Sequence, residues 1–343
     1  MTNLEIFFAS LVAFAGSFAL TPHAREFSHR FGLVDKPNKR KVHSGSIARG
    51  GGIAIYFGFL LGFFFLGIAN RELLGFLIAS LIIVTMGLFD DRFGLNAKLK
   101  FFIQSVAALV AIYFGILINM DLILVGRLAD YDFLAVPLTF VWLVGVTNAV
   151  NIIDGLDGLA AGISTIAAFA ISAVAFLSGA TPIGVLALIV GFSALGFLPH
   201  NFGSRIFMGD SGSLFLGFSL ASLSIMGSLK LAASFSLLVP LMILLVPVFD
   251  TAFAIFRRAI RRKPIFEGDK RHFHHRLLDL GFSPRQAVYF IYLLSIFFAG
   301  MAIYTSEVRN RDGYIAFAAS LVVLFLVTGT VVYLHQRKEN HLT

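Results

Sequence analysis

The chain has 343 residues, of which 58% are hydrophobic and only 13% are charged, and its mean hydropathy is +0.87. Soluble domains carry about 25% charged residues, so this composition leaves too few polar groups for a water-facing surface and excludes a soluble globular protein. The net charge is +8 and cysteine is absent, which excludes a disulfide framework.

Eleven apolar segments of helical length follow one another along the chain. They span residues 3–21, 50–69, 72–89, 100–118, 134–150, 158–178, 182–198, 212–229, 233–256, 286–304 and 314–335. Segments of this length and composition are typical of transmembrane helices. The sequence therefore predicts an all-α polytopic integral membrane protein with about eleven spans, built as a single membrane domain, residues 1–343.

Basic residues are distributed unequally between alternate loops. One set of loops holds 22 of the 27 Lys and Arg residues; it comprises 23–49, 90–100, 151–157, 199–211, 257–285 and the tail after 335. Because basic loops stay in the cytoplasm, this set predicts an amino terminus outside and a carboxyl terminus inside. The basic excess then reflects topology and attraction to anionic headgroups, and it requires no nucleic-acid partner.

Four polar motifs interrupt the apolar segments. The third segment ends in Asp90 and Asp91, the fifth ends in NAVNIIDGLDGLAAG (148–162), the eighth begins at Asp210 in FMGDSGSLFLG, and the last long basic loop contains RHFHHRLLDLG. All four fall on the predicted cytoplasmic side, although the charge count did not require this. Their shared side indicates one composite site.

Each acidic motif has a structural alternative. Asp90 and Asp91 could simply end a helix in water, although the helix dipole opposes acids there, and a metal or nearby lysines would offset that effect. The polar residues of the fifth-segment motif are spaced three apart, which keeps neighbours within about 60° on a helix and lets them converge on one pocket. They are Asn148, Asn151, Asp154 and Asp157. Their alternative is polar contact between helices.

The remaining two motifs also allow two interpretations. Asp210 and its neighbours are residues typical of a helix N-cap, so capping is the structural alternative for Asp210. A helix amino terminus also favours phosphate binding. The histidines His272, His274 and His275 lie between two arginines and resemble a clamp for a polyanion, with an interfacial loop as the alternative. Histidine donates more strongly once protonated near pH 6.5. Zinc is disfavoured because no cysteine is available.

Carboxylates, amides and basic side chains together indicate Mg²⁺ and phosphate chemistry. Mg²⁺ takes one or two carboxylates plus phosphate oxygens, and basic groups offset charge during phosphoryl transfer. The motif GxxxxGK[ST] is absent, which excludes a P-loop enzyme. A secondary transporter is the alternative from another class; it is disfavoured because transporter sites lie near the membrane midplane between inverted repeats, and no repeat is visible here.

Five motifs in chain order carry a family resemblance. They are DKPNKRKVHSGSIARGGG (35–52), GLFDDRFGLNAKLKF (87–101), NAVNIIDGLDGLAAG (148–162), RIFMGDSGSLFLG (205–217) and DKRHFHHRLLDLGFS (269–283). Together they resemble the polyprenyl-phosphate N-acetylhexosamine-1-phosphate transferase family, glycosyltransferase family 4. The HFHH form favours the branch that transfers N-acetylglucosamine-1-phosphate. The alternative branch, phospho-MurNAc-pentapeptide transferase, tends to carry an uninterrupted histidine triplet.

The resemblance implies an activity and its participants. The expected reaction is Mg²⁺-dependent transfer of N-acetylglucosamine-1-phosphate from UDP-N-acetylglucosamine to undecaprenyl phosphate, releasing UMP, as the first membrane step of a cell-surface glycan. Mn²⁺ is expected to substitute for Mg²⁺. The site would lie on the cytoplasmic face of the plasma membrane, completed by loop 257–285, with the lipid tail in a groove between spans. Dimers are common in the family, so a homodimer is an alternative to a monomer.

The resemblance also implies roles for matched residues. Expected catalytic residues are Asp90, Asp91, Asp154, Asp157, His272, His274 and His275. Expected metal ligands are Asp210 and Asp91. Expected contacts of the nucleotide and donor sugar are Phe207, Asn148, Asn151, Asp154, Lys98, His274 and His275. Expected contacts of the acceptor phosphate are Asp90, Lys41 and Arg49.

Overall fold

The computed structural model describes residues 2–35, 46–65, 67, 70–118, 133–228, 235–260, 272–308 and 311–342. Within these ranges the chain forms thirteen helices and one short antiparallel pair of strands, in which Val34 pairs with Ala48. The elements in chain order are α1 Asn3–Phe31, β1 Val34–Asp35, β2 Ile47–Ala48, α2 Gly51–Phe64, α3 Arg71–Phe93, α4 Ala97–Tyr113, α5 Ala135–Ile153, α6 Leu159–Leu177, α7 Thr181–Asn201, α8 Gly209–Ser228, α9 Phe235–Ile243, α10 Leu245–Ile260, α11 Phe273–Asp279, α12 Pro284–Val308 and α13 Arg311–Leu342.

Seven helices of the described chain are long and apolar enough to cross a membrane, namely α1, α3, α5, α6, α7, α12 and α13. The bent pair α9–α10 makes eight if it counts as one broken span. This agrees with an all-α polytopic membrane protein, and every predicted segment falls on a helix. However, α2 has 14 residues and α4 has 17, fewer than the roughly 20 that a span needs, so eleven crossings and the orientation of the termini stay predictions.

Helix α1 continues ten residues beyond its predicted end at residue 21, so that boundary was wrong. Pro22 lies inside the helix and has no N–H to offer the carbonyl of Phe18, four residues earlier. The Nε2 atom of His200, from the end of α7, lies 3.1 Å from that carbonyl oxygen, and its ring packs on the Phe18 ring. A proton on Nε2 would supply the missing bond, which explains why the helix is not broken at the proline.

The predicted segment 233–256 is not one continuous helix. It divides into α9 and α10, whose axes differ by 87°. Pro247 cannot donate to the carbonyl of Ile243, the last residue of α9, so the helical hydrogen-bond ladder ends there. The bend turns α10 toward the histidine segment, which positions part of the site described below.

Helix α8 is the centre of the bundle. Every residue from 211 to 227 is buried, and the helix packs against α2, α3, α5, α6 and α7. About half of this stretch is glycine, serine or alanine, and small residues allow neighbouring helices to approach closely inside a membrane protein. The amino terminus of this central helix is where the polar motifs meet.

Candidate active site

The chain reaches the start of α8 through a junction with the segment before α2. The N–H of Phe207 donates to the carbonyl of Ala48 at 2.8 Å, and the N–H of Gly51 donates to the carbonyl of Phe207 at 3.1 Å. Gly209 then turns the chain with φ +73°, and a Cβ there would lie 2.2 Å from the carbonyl oxygen of Arg49. Only glycine fits this turn, which aligns the motif 35–52 with the motif 205–217.

Asp91 caps helix α8 from the neighbouring helix α3. Its Oδ1 accepts the N–H of Asp210 at 2.8 Å, and its Oδ2 accepts the N–H and O–H of Ser211 at 3.1 and 2.9 Å. The two N–H groups are backbone donors that a helix start otherwise leaves unpaired. Both carboxylate oxygens are therefore directed at α8, and the geometry favours a positioning role for Asp91 over the predicted metal-ligand and catalytic roles.

Asp90 belongs to a separate charged cluster. Lys100 Nζ donates to Asp90 Oδ2 at 2.7 Å and to Asp210 Oδ2 at 2.8 Å. The other oxygen of Asp90 accepts the N–H of Leu95 at 2.6 Å. With both carboxylates ionised, this Asp90–Lys100–Asp210 cluster carries one net negative charge, and the positive charge of Arg49 also acts on Asp210.

The third motif reaches the same place from the end of α5. Asn151 Nδ2 donates to the hydroxyl of Ser213 in the first turn of α8 at 2.8 Å. Asp154 is the C-terminal cap residue of α5. Desolvation raises the pKa of the Asp154 carboxyl to about 8, with contributions from the negative charges of Asp210 and Asp91. Asp154 thus shares the electrostatic environment of the cluster.

Two members of that motif serve other contacts. Asn148 exchanges hydrogen bonds with Gln104 of α4 at 2.6 and 3.3 Å, which fits the alternative of polar contact between helices. Asp157 accepts the hydroxyl of Ser204 at 2.5 Å and ties the 154–158 turn to the turn after α7. The structure therefore spreads the row over three environments, since the helix ends at Ile153 and its regular spacing ends with it.

The histidine segment folds as the short helix α11, held at both ends. Asp250 of α10 accepts the N–H of Phe273 at 3.0 Å and lies 3.0 Å from His272 Nδ1. At the other end, His335 Nε2 of α13 lies 3.0 Å from a carboxylate oxygen of Asp279, whose carbonyl accepts Lys338 Nζ. These contacts fix the orientation of the whole histidine helix.

His274 lies against the glycine turn of the third motif. A Cβ at position 155 would lie 2.5 Å from His274 Nε2, so only Gly155 allows the ring this position. The ring is 2% exposed, and neither nitrogen has a hydrogen-bond partner among the described residues. Burial lowers the pKa of His274 to about 4, with the nearby His275 contributing. The expectation that protonation near pH 6.5 strengthens its contacts is therefore wrong for this ring.

The structure brings all five motifs together through at least one residue each. They contribute Arg49, the pair Asp90 and Asp91, the residues Asn151 and Asp154, Asp210, and His274. Phe207 is half-buried beside them, and His275 lies next to His274 with ring centroids 4.3 Å apart. The predicted contact Lys41 lies outside the described residues.

Two residues of the site had no predicted role in it. The first is Lys100, which joins the two carboxylates; the predicted donor contact Lys98 is exposed, and its role stays a prediction. Residues two apart on a helix point to different faces, so the two lysines have different surroundings. Asp250 was not predicted, although a single ionisable residue inside the apolar run 244–256 was a usable signal.

The arrangement suits a metal that needs few protein ligands. Among the described residues, no three His, Asp or Glu side chains could hold a metal ion together. Mg²⁺ typically needs one or two carboxylates and completes its shell with water and phosphate oxygens. Asp90 and Asp210 fit this requirement, because both already direct an oxygen at one cationic atom, Lys100 Nζ.

Comparisons with known proteins show the family of the chain. The sequence pattern of Glycosyl transferase family 4 matches residues 73–228, which extend from α3 to the end of α8. The chain is 42% identical to a probable undecaprenyl-phosphate N-acetylglucosaminyl 1-phosphate transferase of Bacillus subtilis, over 88% of this chain and 85% of that protein. It is 34% identical to a decaprenyl-phosphate N-acetylglucosaminephosphotransferase of Mycobacterium tuberculosis, over 84% and 80%. It is 29% identical to an undecaprenyl-phosphate alpha-N-acetylglucosaminyl 1-phosphate transferase of Escherichia coli, over 88% and 84%.

Proposed function

Because the chain belongs to glycosyl transferase family 4, we propose that it transfers N-acetylglucosamine-1-phosphate from UDP-N-acetylglucosamine to undecaprenyl phosphate. The products are undecaprenyl-diphosphate-N-acetylglucosamine and UMP. The names of the relatives in B. subtilis and M. tuberculosis agree on the sugar and on a polyprenyl phosphate, but differ in the length of the polyprenyl chain. The identity of the sugar is therefore better supported than the length of the polyprenyl chain.

The observation that carries this proposal is the meeting of five separated motifs at the start of α8. Helices α3 and α5 end there, while α4 and α8 begin there. The carboxylates of Asp90 and Asp210 both pair with Lys100. The buried His274, with unpaired nitrogens among the described residues, lies against the nearby turn at Gly155. This combination suits a substrate that carries both phosphate groups and a neutral polar sugar.

The chemistry needs charge stabilisation more than proton removal. An oxygen of the acceptor phosphate attacks the β-phosphorus of the donor, and the bond from that phosphorus to the UMP oxygen breaks. The acceptor phosphate is already largely ionised at pH 7, so a strong base is unnecessary. Asp90 then orients the acceptor phosphate, while Lys100 and Arg49 offset the negative charge that builds up on the phosphates.

We assign the metal to Asp210 and Asp90. Mg²⁺ bound there would polarise the phosphate oxygens and neutralise their charge. Asp91 keeps Asp210 in place by capping the helix on which it stands. His274 is neutral near pH 7 and offers one donor and one acceptor, which match the hydroxyl and amide groups of an N-acetylated sugar.

The assay that tests this proposal follows UMP release by the purified protein with undecaprenyl phosphate and a panel of UDP-sugars. We expect release with UDP-N-acetylglucosamine, dependent on Mg²⁺ or Mn²⁺. Turnover with UDP-MurNAc-pentapeptide instead would support the peptidoglycan-precursor alternative. Absence of UMP release with every donor, in protein that remains folded, would contradict the enzyme proposal.

We also place this site on the cytoplasmic face, on the basis of the basic loops. The two ends of α7 provide a matched test because the chain contains no cysteine. Arg205→Cys lies just beyond the site end of α7, and Thr181→Cys lies at the opposite end; both positions are exposed. A membrane-impermeant thiol reagent applied to intact cells should label Thr181→Cys alone. Labelling of Arg205→Cys under the same conditions would reverse the orientation.

A further inference from the structure

Asp250 caps helix α11 from the neighbouring helix α10. Helix α11 begins at Phe273, and its N-cap residue His272 makes no side-chain hydrogen bond to the first turn. Oδ1 of Asp250 accepts the N–H of Phe273 at 3.0 Å, which satisfies one of the donors that a helix start leaves unpaired. This oxygen therefore fixes where the histidine helix begins.

The other oxygen of Asp250 determines which nitrogen of His272 carries the proton. Oδ2 lies 3.0 Å from His272 Nδ1. A carboxylate oxygen can only accept, so Nδ1 must be the donor in this contact. The hydrogen bond at one ring nitrogen decides the proton on the other. In the neutral ring, Nε2 of His272 is then unprotonated and acts as an acceptor.

The surroundings strengthen this pairing. Asp250 and His272 are both buried. The narrow cleft around the carboxylate is lined by Phe249, Phe273 and Leu294, which are apolar. Hydrogen bonds are stronger in such low-dielectric surroundings than in water, and an ionisable group inside an apolar run needs partners. The pair therefore favours one tautomer of the ring.

Nε2 of His272 is the ring nitrogen that remains for a substrate. Within the described part of the chain it makes no hydrogen bond. The His272 ring is parallel to the ring of His274, with centroids 6.1 Å apart, and the proposed function places His274 against the donor sugar. An unprotonated nitrogen repels a phosphate oxygen but accepts from a hydroxyl or an amide N–H. This nitrogen therefore suits the sugar and not the diphosphate.

On the basis of the proposed function, we propose that Asp250 is a positioning residue of the transfer. It holds the proton of His272 on Nδ1 and thereby presents Nε2 as an acceptor to a hydroxyl or amide N–H of the donor sugar. His272 then recognises the neutral part of the donor, while Lys100 and Arg49 serve its phosphates. Asp250 itself touches no substrate and acts through the ring of His272.

Asp250→Asn separates the position of the proton from the helix cap. The new oxygen can still accept the N–H of Phe273, but the new NH₂ group then faces His272 Nδ1 and moves the ring proton to Nε2. We expect kcat/KM for UDP-N-acetylglucosamine to fall by a factor of about 5–150 at about pH 8, where an ordinary imidazole is neutral. The KM for undecaprenyl phosphate should stay within about twofold. An unchanged kcat/KM for the donor would overturn the proposal.

Asp279→Asn is the matched control, because it makes the same change at the other end of α11. The Asp279 carboxylate is mostly exposed and lies 3.0 Å from His335 of α13. Exposed ion pairs contribute little, so kcat/KM for the donor should stay within about twofold. An equal loss in Asp279→Asn and Asp250→Asn would mean that both acids only anchor the helix, which would overturn the proposal.

His272→Asn tests whether Asp250 acts through the ring. Asparagine keeps an NH₂ group that can donate to Asp250 but has no counterpart of Nε2, so this variant should lose about as much kcat/KM as Asp250→Asn. Combining the two changes should then cause less than about a twofold further loss. Losses that multiply in the double variant would show that the two residues act independently and would contradict the proposed role of Asp250.

Nitrogen NMR of the full-length protein with ¹⁵N-labelled histidine detects the proton directly. The signals of His272 are those that disappear in His272→Asn. At the same pH we expect Nε2 of His272 to be unprotonated in the unmodified protein and protonated in Asp250→Asn. A protonated Nε2 in the unmodified protein would overturn the inference even if the protein releases UMP as proposed. If the unmodified protein releases no UMP with any donor, the proposed function fails, and the role of His272 toward the donor sugar fails with it.

Discussion

The carboxylate cluster and the histidine helix form two sides of one site, but they satisfy their polar groups in opposite ways. Asp90, Lys100 and Asp210 pair with one another at 2.7 and 2.8 Å. His274 is almost completely buried, and neither of its nitrogens is paired within the described chain. The charged side chains of the first side pair with one another before any ligand arrives, while the second side keeps an unpaired polar group.

The difference indicates what each side contributes. A buried polar group without a partner costs about 1–3 kcal/mol, so an unpaired histidine in a folded protein suggests that a ligand completes it. The charged cluster, in contrast, holds its own geometry and changes partners when a cation or phosphate enters. We therefore expect changes in the cluster to affect turnover and changes at His274 to affect recognition of the donor.

The largest effect is expected from Asp210→Asn, which removes the charge that would hold a hard cation while keeping the size of the side chain. UMP release should fall at least about a hundredfold, the scale reported for the loss of one preorganised electrostatic group. Asp312→Asn, an exposed acid at the start of α13, is the matched control and should leave turnover unchanged. Near-normal turnover of Asp210→Asn at ordinary Mg²⁺ would remove this residue from the catalytic cluster.

The adjacent acids Asp90 and Asp91 should respond differently when each is changed to asparagine. Asp91→Asn should lower the free energy of unfolding by about 1–3 kcal/mol, because its new NH₂ group faces donors of α8 that the carboxylate now accepts. Asp90→Asn should retain stability and lose turnover, because Asp90 faces the cluster. Thermal unfolding in detergent and UMP release, measured on both variants, provide the comparison. Equal stability of the two variants would contradict the capping role of Asp91.

Local sequence patterns predicted the helices and the motifs that the fold brings together. The apolar segments fell on helices, and Asp90 and Asp210 meet at the start of α8, with His274 against the neighbouring turn at Gly155. The helices could be predicted because apolar length is a local signal, whereas the roles of these residues stay predictions.

Features that depend on contacts between distant segments could not be predicted. The hydrogen-bond partner of Asp91 lies 119 residues away in sequence, and that contact decides whether the residue caps a helix or faces a ligand. The continuation of α1 through Pro22 depends on His200, which belongs to another helix. The pairing of Lys100 with Asp90 and Asp210 depends on the rotation of α4 about its axis, which a single sequence does not define.

A smaller effect is expected on the incomplete side of the site. His274→Ala removes no hydrogen bond that the protein makes with itself, so the fold should persist. It should lower kcat/KM for the donor by a factor of about 5–150, equivalent to roughly 1–3 kcal/mol of transition-state binding. Arg258→Ala, in the last turn of α10, is the control for loss of a polar side chain in the same region and should have less effect. An unchanged kcat/KM with every UDP-sugar would leave α11 as a structural element only.

The smallest expected effect is on the pH dependence of stability, which differs between the two sides of the site. The pKa of His274 is lowered from 6.5 to about 4. Between these values the His274 ring is protonated in the unfolded chain and stays neutral in the folded protein. Stability from this group is therefore lost as the pH falls from 6.5 toward 4. Asp154 acts with the opposite sign: its pKa is raised from 3.8 to about 8, so its contribution is lost as the pH rises through that range. Because both act in the intact protein, only a comparison of variants isolates the histidine.

His274→Gln keeps a polar side chain but cannot take up the proton. The unfolding temperature of the unmodified protein should fall relative to that of His274→Gln as the pH is lowered from 7 to 4.5, while the two remain parallel above pH 7. The ring stays neutral down to about pH 4. The pH profile of UMP release should therefore have no inflection near pH 6.5 that depends on His274, and the profile of His274→Gln should have the same shape in that range. Such an inflection would mean that the ring is charged when it meets the donor, and the contrast between a charged cluster and a neutral histidine side would be wrong.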